Sequence, residues 1–280
     1  MPKPAANGGV VRPEQVVERL RRMVEDYRRS RGSRPSSGHA RAVRCGLDPL
    51  DQALPDGGLP IGAVTEILCG APGLGATSLA LRTAHRAATD GRTVVVVDPG
   101  GDFYPPATIP CGMDLDRLVV IRPRRAPDAL WALDQSLRCP AIAAVVAWLD
   151  HLRPEQSRRL QLAAEAGKGL GLILKPAAGR EKSFAAVRVL IEPVTEEAAE
   201  NQFPTKSIPS TACEASDGIP GDGDGSGSSV RLCRITVLKV REGIPGEPFI
   251  VGLDDEAGFV PVHAVPSDRP LESARRRESA

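Results

Sequence analysis

The chain has 280 residues, enough for one large α/β domain with tails and short for two full domains. A hydrophobic fraction of 41% and a charged fraction of 25% are ordinary for a globular protein, and with only 3% aromatics the core must be built from Val, Leu, Ile and Ala. The formal net charge of +1 excludes a strongly basic nucleic-acid binder; any basic surface has to be local.

Residues 1–11 read as an unstructured start. Residues 12–31 read as an amphipathic helix, with Val16, Val17, Leu20, Met23, Val24 and Tyr27 on one face. Residues 12–34 hold eight Arg and four Asp/Glu, so the segment is a basic arm that either packs one stripe on the body or docks a partner. A Ser/Gly/Pro/Arg linker closes the first region, 1–40. Strands and helices then alternate. Strands are expected at 64–68, 93–97, 118–121, 142–147, 170–174 and 185–191, and helices at 77–88, 127–137 and 154–166. Gly91 and Gly167 read as helix stops. The strands are nearly uninterrupted apolar runs, which argues an α/β fold with a mostly parallel sheet covered by helices on both faces.

Residues 195–229 break the alternation. They hold seven Asp/Glu against one Lys and end in Gly, Asp and Ser, the composition of a flexible insertion. Apolar strands return at 230–240, 249–251 and 259–262 and are expected to add antiparallel to one sheet edge. The expected organisation is therefore a first region 1–40, a core 41–194, the insertion 195–229, edge strands 230–263 and a polar tail 264–280.

The six cysteines form no C-x-x-C pair and stand at no metal-ligand spacing from a histidine, so free thiols in a reducing cytoplasm are expected, without a metal. The first ten residues do not read as a signal peptide, and no run of about 18 apolar residues suggests a membrane span.

The stretch 46–78 carries the chemistry. Leu47-Asp48-Pro49-Leu50-Asp51 and Gly57-Gly58-Leu59-Pro60-Ile61-Gly62 lead into the strand Val64-Thr65-Glu66-Ile67-Leu68. Gly70-Ala71-Pro72-Gly73-Leu74-Gly75-Ala76-Thr77-Ser78 follows, between strand and helix. This is the spacing of the phosphate loop G-x-x-x-x-G-K-[ST], with Ala76 in place of the lysine. Gly70, Gly73 and Gly75 let backbone N–H groups cradle phosphate oxygens, and the hydroxyls of Thr77 and Ser78 lie where a nucleotide's Mg²⁺ would be met. The lysine charge that steadies β- and γ-phosphates is lost, a charge-assisted contact worth about 1.5–3 kcal/mol. ATP and Mg²⁺ binding is thus doubtful and no resident cofactor is expected; a tight strand-to-helix turn is the plainer alternative.

These motifs resemble the RecA recombinase core, and more closely the ImuA family of RecA-like proteins. The runs Asp116-Arg117-Leu118-Val119-Val120, Ala129-Leu130-Trp131-Ala132-Leu133, Arg158-Arg159-Leu160-Gln161-Leu162 and Val237-Leu238-Lys239-Val240-Arg241 also point there. The resemblance implies a RecA-like core in damage-induced mutagenesis, with an error-prone polymerase and a Y-family-like partner, RecA itself and DNA only indirectly. It also locates three further departures from an active recombinase. Gly100 holds the place of the catalytic glutamate beyond Asp98, Trp148 that of a Mg²⁺-organising aspartate, and the DNA-binding loop after residue 175 is largely missing. A non-catalytic accessory protein is the expectation, with a DNA-dependent ATPase or a SulA-like division inhibitor as rivals.

Smaller candidates remain. Arg122, Arg124 and Arg125 follow a strand end, where open α/β sheets line their ligand crevice, and suit a phosphate or an acidic partner as well as a solvated loop. Trp131 and Trp148 read as packing residues, and Asp98 as a helix cap or a partner of the Thr77 region. The four histidines are isolated and are given no chemistry.

Overall fold

The computed structural model describes Glu18, Arg22 and residues 42–177, 182–194, 230–241, 243–254 and 258–260. The insertion 195–229 and the tail 264–280 lie outside the described residues. So does the helix expected at 12–31, apart from Glu18 and Arg22, which are helical and paired at 3.4 Å.

Two short strands, β1 (Ala42–Val43) and β2 (Leu59–Pro60), pair antiparallel and flank the short helix α1 (Asp48–Gln52). Neither they nor α1 is long enough to leave a periodic signal. Asp51, 1% exposed, holds this lead-in together by accepting the backbone N–H groups of Cys45 at 2.8 Å and Gly46 at 3.1 Å.

The main sheet contains β3 (Ala63–Cys69), β4 (Thr93–Val97), β5 (Leu118–Ile121), β6 (Ile142–Trp148), β7 (Leu170–Pro176), β8 (Val187–Pro193), β9 (Val230–Val240), β10 (Phe249–Asp254) and β11 (Gly258–Val260). Their spatial order is β11-β10-β9-β8-β3-β7-β6-β4-β5. From β8 to β5 all pairings are parallel, and β9, β10 and β11 add antiparallel, as the apolar patterning predicts. The sequence boundaries move by up to three residues: β8 begins at Val187 rather than 185, and β10 runs on to Asp254 rather than ending at 251.

Helices cover both faces. On one, α2 (Ala76–Ala87) lies over β6 and β7 and buries Leu79, Ala80 and Ala84 against Val94, Val96 and Leu172. On the other, α3 (Ala126–Arg138) and α4 (Pro154–Gly167) bury Leu133, Leu137 and Leu160 against Val95, Val145 and Ile173. Each such leucine contributes about 1.5–3 kcal/mol by leaving water. β4 is buried along its whole length because both faces are covered there, whereas β8 alternates, with Val187, Val189 and Ile191 buried and Arg188, Leu190 and Glu192 half-buried.

Two expectations need correction. The left-handed residue ending α4 is Lys168 (φ 57°), not Gly167. Gly167 is needed for a different reason: a Cβ there would run into the backbone of Leu137 and Arg138, where the end of α3 passes. Trp131 is not a packing residue. It lies one position off the Leu130–Leu133–Leu137 stripe of α3, about 100° round the helix, and is 63% exposed.

Candidate phosphate-loop site

The loop leaves β3 at Cys69 and enters α2 at Ala76. Gly70 N–H donates to Ile191 O at 2.8 Å, tying the loop to β8, and Leu79 N–H donates to Gly75 O at 2.9 Å as the first turn of α2 closes. Gly73 (φ 78°) and Gly75 (φ 75°) take left-handed conformations that L side chains rarely adopt. Gly75 is also required by contact. A Cβ there would stand 2.7 Å from Phe259 Cζ of β11 and 2.9 Å from Leu253 Cδ1 of β10. Leu74 is buried and anchors the turn from below.

Gly73, Gly75, Ala76, Thr77 and Ser78 line one cavity of about 620 Å³. Gly70 sits just behind it, at the strand end. The loop part of the candidate site is therefore assembled in one place, with Thr77 and Ser78 half-buried at the first turn of α2. The wall also includes Arg82, one turn further along α2, and residues from distant sequence: Trp148 at the end of β6, Leu174 on β7, Arg231 on β9 and Leu253 on β10. Arg231 Nη1 comes within 3.3 Å of where a Cβ on Gly73 would stand. Among the described residues none that lines the cavity is an Asp or Glu. Sequence reasoning missed Arg82 and Arg231. The first sits on the loop-facing side of α2 and was legible as such; nothing local marks the second.

The strand ends beside the loop carry no free carboxylate chemistry. Asp98, 4% exposed, accepts Gly101 N–H at 2.9 Å, Phe103 N–H at 3.1 Å and Arg122 Nε at 3.2 Å. It shapes its own turn and holds Arg122, so neither the helix cap nor the link to Thr77 expected of it is formed. Gly100 lies on that turn, exposed. Trp148 is half-buried and packs against Phe103, ring centroids 5.7 Å apart, while Asp150 lies beyond the strand and is exposed. Cys69, at the cavity's edge, is pushed up to about 11 by burial, so its thiol is protonated at neutral pH.

Arg122, Arg124 and Arg125 do not join the cavity. Arg122 is held by Asp98 and by Phe103 O at 2.7 Å. Arg125 is paired twice with Asp128, at 2.8 and 2.9 Å, and Arg124 is exposed on the loop between them. The two candidate groups are thus separate places on the same end of the sheet.

Among the described residues no helix is long and apolar enough to cross a membrane. A family model described as the RecA N-terminal domain matches residues 32–157. The ImuA protein of Caulobacter vibrioides is 35% identical over 144 residues, 48% of this chain and 58% of its own length. RecA of Chlorobaculum parvum is 35% identical over 108 residues, 39% and 31% of the two chains, and the cell division inhibitor SulA of Edwardsiella piscicida 33% over 70 residues, 25% and 42%. The chain spans between 31% and 58% of the length of these curated relatives. With a phosphate-loop turn set between strand and helix and a mostly parallel sheet clad on both faces, the chain has a RecA-like α/β core and is similar to RecA and ImuA proteins.

Proposed function

We propose that the chain is a non-catalytic accessory protein of the DNA damage response, acting through contacts with an error-prone polymerase assembly rather than by turning over ATP. The observation that carries this reading is the wall of the loop cavity. Phosphoryl transfer needs a group to orient water and a metal held by oxygen ligands. Here an indole, Trp148, stands where the metal-organising acid belongs, Asp98 is committed to its own turn, and Gly100 offers no side chain. Ala76 withholds the ammonium charge. Arg82 and Arg231 also line the cavity. No cofactor is required by this reading.

The test is ATP turnover by the purified full chain with and without single-stranded DNA, beside co-purification with a Y-family-like polymerase and an error-prone replicative-type polymerase. No turnover and a stable assembly are expected. DNA-stimulated turnover abolished by Thr77→Ala would establish the enzyme instead. The SulA similarity favours a second reading, a division inhibitor, for which filamentation on overexpression is the mark.

A further inference from the structure

A second cleft opens on the opposite face of the sheet, between the first turns of α4, residues 182–184 and the β8–β9 pair, with a volume of about 690 Å³. α4 packs over β3 and β7 and stops short of β8 and β9, so among the described residues no helix covers this part of the sheet. Among the described residues, Arg158, Lys182, Arg188 and Lys239 line the cleft, against one carboxylate, Glu155.

The buried acid beneath the cleft does not balance these charges. Glu66, fully buried, accepts Ser183 Oγ–H at 2.6 Å and Arg188 Nε at 3.0 Å, and has Lys175 Nζ at 3.8 Å. One carboxylate thus already serves two cations. Arg188 Nη2 is buried and finds no hydrogen-bond acceptor among the described residues. Lys239 donates to Ser183 O at 2.8 Å, and its ammonium is held below the usual lysine range by burial and by the nearby Arg241 and Arg188. The cleft therefore holds an orphaned donor and mutually repelling cations, both of which a bound anion relieves.

The geometry points to this cleft as the docking site for an acidic peptide of a partner protein, a carboxylate of which is received between Arg188, Arg158, Lys182 and Lys239. The inference deepens the accessory reading and rests on it in taking the partner to be a protein. A nucleic acid fits less well. Phe184 is 43% exposed, but its ring is already covered by the Arg158 guanidinium at 5.7 Å, so it is not open as a stacking platform. The cations are also gathered in one cleft, and the chain as a whole carries only +1.

The test is fluorescence anisotropy with the full chain and three labelled probes: a capped peptide alternating Glu and Leu, its Gln-for-Glu counterpart, and oligo(dT). The Glu peptide is expected to bind at least about tenfold more tightly than either control, with affinity falling as salt rises. Arg158→Glu with Lys182→Glu is expected to weaken it at least about tenfold and leave thermal unfolding unchanged, since both side chains are exposed. Arg158→Gln with Lys182→Gln, which adds no repulsion, is expected to show the same direction. No binding of the Glu peptide, equal binding of the Gln peptide, preference for oligo(dT), or indifference to both variant pairs would overturn the assignment. ATP turnover is not read in this assay, so the loop reading and the cleft can fail separately.

Discussion

Glu66→Ala should be among the most damaging single substitutions in this protein. The side chain is fully buried in the middle of β3, and it compensates Arg188 and Lys175, whose side chains are 12% and 3% exposed. Removing it strands two cations at once. Breaking a buried ion pair from one side costs about 3–5 kcal/mol, a large share of the about 5–15 kcal/mol that holds a domain folded. At about 2–4 °C per kcal/mol for chains of this size, the melting temperature should fall by about 6–20 °C. Urea unfolding followed by circular dichroism reads the loss directly. A double-mutant cycle reads its cause. Lys175→Met alone should cost less than Glu66→Gln alone, because Glu66 keeps Arg188 and Ser183. The pair together should cost less than the sum, by about 0.5–3 kcal/mol. A loss below about 1 kcal/mol for Glu66→Ala, or strict additivity in the cycle, would refute the claim that these charges are held in the core by one another.

Restoring the lysine with Ala76→Lys should raise affinity for Mg-ADP by about tenfold or more, measured by isothermal titration calorimetry. It should not start hydrolysis, since Trp148 and Gly100 remain; steady turnover in this variant would mean that the other losses are not decisive. Gly167→Ala should destabilise the chain by about 1–3 kcal/mol or more in urea unfolding, as the α3 and α4 ends are forced apart. Asp134 supplies a pH dependence. Burial alone would raise its pKa, but hydrogen bonds from Arg159 and Arg138, at 3.0 and 3.1 Å, outweigh this and hold it below the usual carboxylate range. Its folded pKa is thus depressed, so its stabilising contribution is present above about pH 4 and lost as pH falls further. Urea midpoints between pH 6 and pH 3 should therefore fall less steeply for Asp134→Asn than for the wild type; identical slopes would remove Asp134 from the acid limb.

The alternation of apolar strands and striped helices was legible because each element is long enough to repeat its own period. The runs at β4 and β6 have no polar residue to spare, and that alone places them inside. The loop glycines were legible for the same reason that the structure needs them at Gly73 and Gly75, a backbone turned to positive φ. What escaped the sequence is whatever depends on a neighbour from elsewhere in the chain. Arg231 reaches the loop only because β9 lies beside β8. Phe259 and Leu253 reach it through a register that no local pattern announces. The loss of Trp131 from the core was readable, since it breaks the stripe drawn by Leu130, Leu133 and Leu137. Glu66 was a clue passed over: a charge among Val64, Ile67 and Leu68 demands a partner, and only the sheet order names Lys175 and Arg188.

The contact of Phe259 and Leu253 with Gly75 has a consequence for how the molecule comes into being. Synthesis runs from the amino end, and α/β cores begin to fold as they emerge. Here the turn at 70–75 is made early, yet its neighbours Leu253 and Phe259 emerge much later in the chain. Until they arrive the nascent turn stays open to water on that side. Closing so long a stretch of chain is a slow, non-local step, and a product cut short before β10 would keep its turn but never finish it.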